Sequence, residues 1–304
     1  MNISGSTKIA GIVGNPIGHS LSPKIHNFLF ARHNINAVYL PFPIKNESDL
    51  EGFLQTFRAA NFLGCNITIP YKEAILKSVK NLCDGYEIIK YSEIIGAANT
   101  LYPNTDNTKL CATTTDFFGF SNSLIDNKFF INSEMRVVIL GNGGVARTIA
   151  MFLASDLQIS FQRPHTISII GRNAQKLKEL ADEIKQKTDY SVSYFTFENA
   201  GDAINAADII INCTSVGMHP KIDETPIDAC LINPKTYIYD TIYNPLKTRF
   251  LREAEEKGCR AQNGLRMLIW QAIESFSLWT GIDLRSDAKV ADELENLLLK
   301  EFDK

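Results

Sequence analysis

Arg136–Leu153, RVVILGNGGVARTIAMFL, is the stretch whose reading decides the fold. Val137–Leu140 is a short apolar run closed by Gly141, the pattern of a strand buried on both faces, and a helical pattern follows. Between them Gly141-Asn142-Gly143-Gly144-Val145-Ala146 fits the G-x-G-x-x-G/A dinucleotide turn, with alanine in the third place. The first glycine permits the tight turn and the second lets backbone approach a pyrophosphate. The free N–H groups of the helix start then receive its charge. Glycines between a strand and a helix are common in α/β folds, so the turn by itself does not name a ligand.

Downstream of the turn, strands are expected at Thr166–Ile170, Ser191–Phe197, Asp208–Cys213 and Tyr237–Ile242. A helix over residues 174–187 places Leu177, Leu180, Ala181 and Ile184 on one face. This is a Rossmann-like sheet. Thr248–Lys257 reads as a helix stopped by Gly258, and Leu265–Thr280 as another with an apolar stripe through Leu268, Ile269, Ala272, Phe276 and Trp279.

Upstream, the same alternation predicts another α/β unit with a parallel sheet. Lys8–Gly14 is a strand that ends in the loop NPIGHSLSP, and Ser22 is placed to cap a helix with Pro23 at its first position. A strand at Asn36–Ile44, a helix at Asp49–Asn61 and a strand at Phe62–Pro70 follow, then a helix over Tyr71–Lys80. Short strands at Gly96–Tyr102 and Lys109–Thr114 lead to Asp116, which can cap a helix beginning at Phe117.

The totals narrow the function. A chain of 304 residues with 45% hydrophobic and 21% charged side chains suits about two globular domains. A net charge of −3, with no basic block, argues against nucleic acid as a partner. Cys65, Cys83, Cys111, Cys213, Cys230 and Cys259 form no C-x-x-C pair and read as reduced core thiols. No signal peptide and no span of about 18 apolar residues is present, so a cytoplasmic location and no membrane partner are expected.

Two positions carry the cofactor and chemistry readings. The second strand of the Rossmann-like unit ends Ile170-Gly171-Arg172-Asn173, with no acid between Thr166 and Lys178 to hold a ribose 2′-hydroxyl. An arginine there suits the 2′-phosphate, so NADP is preferred over NAD. Lys72 lies just beyond the strand-stopping Pro70, and Asp116 just beyond the strand Lys109–Thr114. If those strands are parallel neighbours, both side chains emerge at the carboxyl edge of the sheet, where α/β folds place ligands. A carboxylate beside the lysine favours its ammonium form, which can donate a proton to an alkoxide formed when hydride reaches a carbonyl. His19 and His26 have no Cys or carboxylate cluster at ligand spacing, so no metal site is expected, and no serine or cysteine nucleophile signature appears.

Taken together, the chain resembles the shikimate dehydrogenase family along nearly its whole length. The resemblance rests on NPIGHSLSPKIHN (Asn15–Asn27), GCNITIPYK (Gly64–Lys72), GAANTL (Gly96–Leu101), TTTDFFGF (Thr113–Phe120), GNGGVAR (Gly141–Arg147), INCTSVGM (Ile211–Met218), YDTIYNPLKTRFL (Tyr239–Leu251) and NGLRMLIWQAIESFSLWTG (Asn263–Gly281). It implies a two-domain α/β fold: an N-terminal substrate domain over 1–124, a Rossmann NADP-binding domain over 125–262, and C-terminal helices over 263–304 that return to the substrate domain. It also implies reversible NADPH-dependent reduction of 3-dehydroshikimate to shikimate, on the route to chorismate and the aromatic amino acids.

Position by position, Lys72 and Asp116 match the family's catalytic lysine and aspartate. Ser20 and Ser22 match the pair holding the substrate carboxylate, with Thr68 and Tyr243 assisting, and Asn66, Asn99 and Gln271 match residues on the ring hydroxyls. On the cofactor side Gly141, Gly143, Gly144, Val145 and Ala146 match the turn, Arg172 with Asn173 the phosphate reader, and Thr214, Ser215, Met218 and Gly264 positions beside the nicotinamide. Two departures stand out: Thr114 replaces the family's usual asparagine, and Gly171-Arg172-Asn173 replaces its usual Asn-Arg-Thr. They leave a quinate-oxidising or NAD-preferring paralogue as an alternative, and a ligand-sensing protein without activity as another. A monomer or homodimer is expected.

Overall fold

The computed structural model describes residues 3–302 apart from 61, 83, 84, 107 and 157–159. The chain divides into two units, one made of the residues up to Gly119 together with those from Ile269 onward, the other of Phe120–Leu268.

In the first unit, β1 (Lys8–Val13), α1 (Ser22–Arg32), β2 (Ala37–Phe42), α2 (Leu50–Ala59), β3 (Gly64–Ile67), α3 (Ala74–Leu82), β4 (Tyr86–Ile88), α4 (Lys90–Ile95), β5 (Thr100–Pro103) and β6 (Leu110–Thr113) lead into α5 (Asp116–Asp126). The sheet order is β2-β1-β3-β5-β6-β4. It is mixed rather than parallel: β5 runs antiparallel to both β3 and β6. The strands before Lys72 and Asp116 therefore point the same way but are not neighbours. The reversal brings the start of β5 to the edge where β1, β3 and β6 end. A core of Leu50, Leu54, Phe57, Ile67, Ile75, Val79, Leu101 and Ala112 packs helices on one face of this sheet, consistent with the helical spacing of the α2 apolar residues.

Three local details differ from the sequence reading. Leu21, not Ser22, occupies the cap of α1 and makes no side-chain cap bond, so Ser22 is already helical. The segment from Gly96 is not strand throughout, because Gly96 closes α4 in a left-handed conformation (φ 76°) and β5 starts at Thr100. Asp116 is the first residue of α5 rather than its cap. The end placed at Asn61 for the second helix lies outside the described residues.

In the second unit, β7 (Arg136–Leu140), α6 (Gly144–Ala154), β8 (Thr166–Gly171), α7 (Ala174–Thr188), β9 (Ser193–Thr196), α8 (Gly201–Asn205), β10 (Ile209–Asn212), β11 (Tyr237–Asp240), α9 (Arg249–Glu256) and β12 (Arg260–Gln262) build a sheet in the order β12-β11-β10-β7-β8-β9. All its pairs are parallel. Numbered from β7, this is the 3-2-1-4-5-6 order of dinucleotide-binding sheets, with its reversal between β7 and β10. Val137–Leu140 is wholly buried, as a central parallel strand requires. α10 (Leu265–Thr280) and α11 (Ala288–Phe302) complete the chain.

Cys65, Cys111 and Cys259 are buried thiols, but Cys213 is only half-buried and Cys230 is exposed, so the reading of all six as core thiols is corrected; Cys83 lies outside the described residues. No helix among the described residues is long and apolar enough to cross a membrane.

Candidate active site

At the carboxyl edge of the first sheet, three elements bring their polar ends together. Lys72 follows β3, Asp116 follows β6, and Asn99 immediately precedes the reversed strand β5. Asn99 is held on both sides by the sheet: its carbonyl accepts from the Ile67 N–H at 2.7 Å and its N–H donates to the Thr113 carbonyl at 3.0 Å. The Ala98 N–H donates to the Lys72 carbonyl at 2.8 Å, which ties the lysine's backbone to the same strand.

The side chains then converge. Lys72 Nζ donates to Asp116 Oδ2 at 2.6 Å, with the lysine side chain 16% and the aspartate 3% exposed. Asn99 Nδ2 donates to the other carboxylate oxygen, Oδ1, at 2.9 Å. Asp116 is therefore fixed by a cation on one oxygen and an amide on the other, while the ammonium retains a path to solvent. Charge-assisted bonds of this kind are the strong ones, and an ammonium held at a sheet edge can pass a proton outward.

Asn99 is in turn oriented by its carbonyl. Oδ1 accepts from the Thr115 N–H at 2.8 Å and the Thr100 hydroxyl at 2.9 Å, so the amide nitrogen must face Asp116. Gln271 of α10 lies 3.5 Å from Asn99 Nδ2. Asn66 is occupied within the chain: Oδ1 accepts from the Tyr39 hydroxyl at 2.8 Å, and Nδ2 donates to Ser275 Oγ at 2.9 Å and Thr100 Oγ1 at 3.1 Å. Thr100, Thr115 and Ser275 are partners that the sequence reading did not single out. Nothing local marks them, because the bonds from Ser275 to Asn66 and Thr100 span more than a hundred residues of chain.

Ser20 lies in the loop after β1 and Ser22 opens α1, and Ser20 Oγ accepts the Ser22 N–H at 3.3 Å. β1 and β3 are parallel neighbours, so this loop opens at the edge that also carries Thr68 and Lys72. The Thr68 N–H donates to the Val13 carbonyl at 2.8 Å, and the Asn15 N–H to the Ile69 carbonyl at 3.0 Å. Tyr243 belongs to the second unit, where it is half-buried between β11 and α9, and burial raises its phenol.

The second unit presents a different edge. Gly141 takes φ +107°, a conformation that strains any residue with a Cβ, and a Cβ there would also press Thr214 Cγ2 at 3.2 Å. Thr214 follows β10, the strand beside β7, so the turn and Thr214–Met218 share the crevice at the reversal of strand order. The helix α6 starts at Gly144 with no side-chain cap, and a Cβ on Gly143 or Gly144 would meet nothing within 4 Å. A helix start without a side-chain cap, with open space beside its glycines, suits a pyrophosphate. Arg172 is exposed at the end of β8, and Asn173 beside it caps α7 by accepting the Lys176 N–H at 3.0 Å. A helix start without a side-chain cap and an exposed guanidinium at the end of the next strand fit a phosphorylated dinucleotide. Gly264 is required by packing, since a Cβ there would lie 2.1 Å from the Thr241 carbonyl oxygen.

Both units match known proteins. A model of the shikimate dehydrogenase substrate-binding domain matches residues 12–101, one of shikimate/quinate 5-dehydrogenase matches 123–240, and one of the shikimate 5′-dehydrogenase C-terminal domain matches 264–285. The chain is 36% identical to the NADP(+) shikimate dehydrogenase of Methanothermobacter thermautotrophicus over 97% of its own length and 99% of the relative's. A solved shikimate dehydrogenase in complex with NADP+ superposes with a TM-score of 0.86 at 32% identity, covering 100% of this chain and 98% of the other. The Thermus thermophilus enzyme, solved with NADP(H) and shikimate, gives 0.77 at 30% identity over 94% and 98%.

Proposed function

Because the chain belongs to the shikimate dehydrogenase family and is an NADP-dependent oxidoreductase acting on a CH–OH group, we propose that Lys72 and Asp116 carry its chemistry. The enzyme interconverts 3-dehydroshikimate and shikimate, and NADPH supplies the hydride when bound. The other steps belong to the chain. Lys72 Nζ, held 2.6 Å from Asp116, donates a proton to the substrate oxygen on which negative charge develops, and takes it back in the reverse direction. Asp116 orients that ammonium and has lone pairs left to accept from a ring hydroxyl. Asn99 holds the carboxylate from its other side, and its amide nitrogen also faces Thr115 Oγ1 at 3.1 Å and Gln271 Oε1 at 3.5 Å; Asn66, Asn99 and Gln271 are assigned to the ring hydroxyls.

Ser20 and Ser22, with Thr68 near them, are assigned to the substrate carboxylate, because hydroxyl donors at the same sheet edge suit an anion. Tyr243 is assigned to the same task. Gly141, Gly143, Gly144, Val145 and Ala146 are assigned to the pyrophosphate, Arg172 and Asn173 to the adenosine phosphate, and Thr214, Ser215, Met218 and Gly264 to the nicotinamide half. A substrate region over 1–124, a coenzyme region over 125–262 and returning helices over 263–304 go with these assignments, as does a cytoplasmic location for an enzyme of small polar metabolites.

One observation carries the catalytic assignment: a mostly buried ammonium, its side chain still partly exposed, fixed on a buried carboxylate whose other oxygen is also bonded. Lys72→Ala is expected to lower kcat by about a hundredfold or more, with the Kd for NADP+ unchanged by calorimetry. Turnover at the wild-type rate would remove Lys72 from the mechanism.

A further inference from the structure

The carboxyl ends of β10 and β11 meet over three fully buried polar side chains, Asn212, Asp240 and Thr248. The parallel register sets Asn212 directly beside Asp240. A buried carboxyl group ordinarily needs a cation, yet the bonds it receives here come from neutral donors. Oδ1 accepts from Asn212 Nδ2 at 3.0 Å and the Ile242 N–H at 3.1 Å, and Oδ2 accepts from the Thr248 hydroxyl at 2.6 Å.

These acceptor oxygens decide which way the Asn212 amide faces. Its –NH2 must turn to Asp240, so Oδ1 turns to the other side, where it accepts from the Thr214 N–H at 3.0 Å and hydroxyl at 2.7 Å. Thr214 Oγ1 then accepts the Val216 N–H at 3.2 Å. The Asn212 carbonyl accepts from the Thr241 hydroxyl at 2.8 Å and N–H at 3.0 Å, and the Ile242 carbonyl accepts the Gly264 N–H at 3.0 Å. Thr248, the third member, caps α9 by accepting the Leu251 N–H at 3.3 Å. Three stretches far apart in sequence, around Thr214, Thr241 and Gly264, are thus referenced to one carboxyl group.

We propose that Asp240 is a positioning residue for the coenzyme: by fixing the Asn212 amide and the Ile242 N–H, it sets the loops bearing Thr214, Ser215, Met218 and Gly264 before NADP binds. The proposal rests on those loops lining the nicotinamide half, as assigned above. Asp240 touches no ligand itself. It acts through bonds that neutral isosteres change one at a time.

The test is calorimetric titration of NADP+ into the full-length enzyme and three variants, with Michaelis constants for both substrates. Asp240→Asn keeps the shape but turns an amide donor toward Thr248 or Asn212, and is expected to raise the NADP+ Kd about tenfold while the KM for shikimate stays within twofold. Thr248→Ser retains the hydroxyl and is expected to bind as wild type. Met218→Glu places a carboxylate on the exposed loop and is expected to repel the anionic coenzyme, raising its Kd at least fivefold. Should Asp240→Asn not fold, Thr248→Val removes the hydroxyl that donates to Asp240, together with its cap bond to the Leu251 N–H, and is expected to raise the Kd about threefold. Wild-type affinity in Asp240→Asn, or in Thr248→Val where that variant stands in for it, alongside weakened Met218→Glu would overturn the positioning role and leave the loop assignment standing. Wild-type affinity in Met218→Glu would overturn the loop assignment itself and the proposal with it. A rise in the KM for shikimate equal to that for NADP+ would also overturn it, since general loosening would then be the cause.

Discussion

Asp116 and Asp240 each stand at the carboxyl edge of a six-stranded sheet, and both are buried, yet they do different things because of what faces them. Asp116 meets an ammonium at 2.6 Å that is itself partly exposed. Asp240 meets an amide, a backbone N–H and a hydroxyl, all buried with it. An opposite charge offsets the desolvation of a carboxylate, whereas neutral donors offset only part of it. A buried carboxyl group therefore marks chemistry where a proton carrier beside it reaches solvent, and marks architecture where its partners are neutral and sealed.

The same substitution at the two positions breaks the comparison most sharply. Asp116→Asn removes the anion that orients Lys72 and is expected to cost about a thousandfold in kcat, with the thermal midpoint little changed. Asp240→Asn is expected to leave kcat at saturating NADP+ within a few-fold. Steady-state kinetics of the pair decides the matter, and equal losses of kcat would erase the distinction.

The second expectation concerns stability. Burial raises the Asp240 carboxyl from its ordinary 3.8 to about 6, against the pull of Thr248, Ile242 and Asn212. The folded value lies above the unfolded one, so the folded state binds this proton more tightly. The stability so gained is full below about pH 4 and is lost as the pH rises through about 6, an amount of roughly 3 kcal/mol. Asp240→Asn cannot titrate. Between pH 4 and pH 7.5 its unfolding free energy in urea should therefore move by that amount in its favour relative to wild type. A gap between the two proteins that ignores pH would place the titration of Asp240 outside this range.

The two edges were also unequally legible in the sequence. The Rossmann sheet could be read because Val137–Leu140 is long enough and apolar enough to declare a buried strand, and because Gly141 needs the positive φ it adopts. Lys72 and Asp116 could be placed at a sheet edge from the strands before them. The reversal of β5 could not, since direction is set by pairing with β3 and β6 and leaves no local pattern. Yet it is this reversal that delivers Asn99 to Asp116. β4 and β12, of three residues each, and α4, of six, are too short for periodicity to show. Asn212 and Asp240 are 28 residues apart, and only the register of β10 on β11 sets them side by side.

His26 supplies the smallest expected effect and extends the comparison to a buried base. It is wholly buried in the first unit, stacked on Tyr39 with ring centroids 4.5 Å apart, and burial pulls its imidazole from 6.5 down to about 3. Here the folded value lies below the unfolded one, so the contribution to stability is present above about pH 6.5 and is lost as the pH falls toward 3. At pH 5 the loss is roughly 2 kcal/mol. His26→Phe keeps an aromatic ring against Tyr39 but cannot take up a proton, so its unfolding free energy should fall by that much less than the wild type's between pH 7.5 and pH 5. The Tyr39 hydroxyl donates to Asn66, which bonds Thr100, which bonds Asn99, so the stacked Tyr39 stands four hydrogen bonds from the proposed catalytic carboxylate. If its task is packing, as sealed neutral surroundings imply for Asp240, kcat of His26→Phe at pH 7.5 should stay within twofold of wild type. A larger loss at unchanged stability would place His26 with Asp116, among the groups that orient the chemistry.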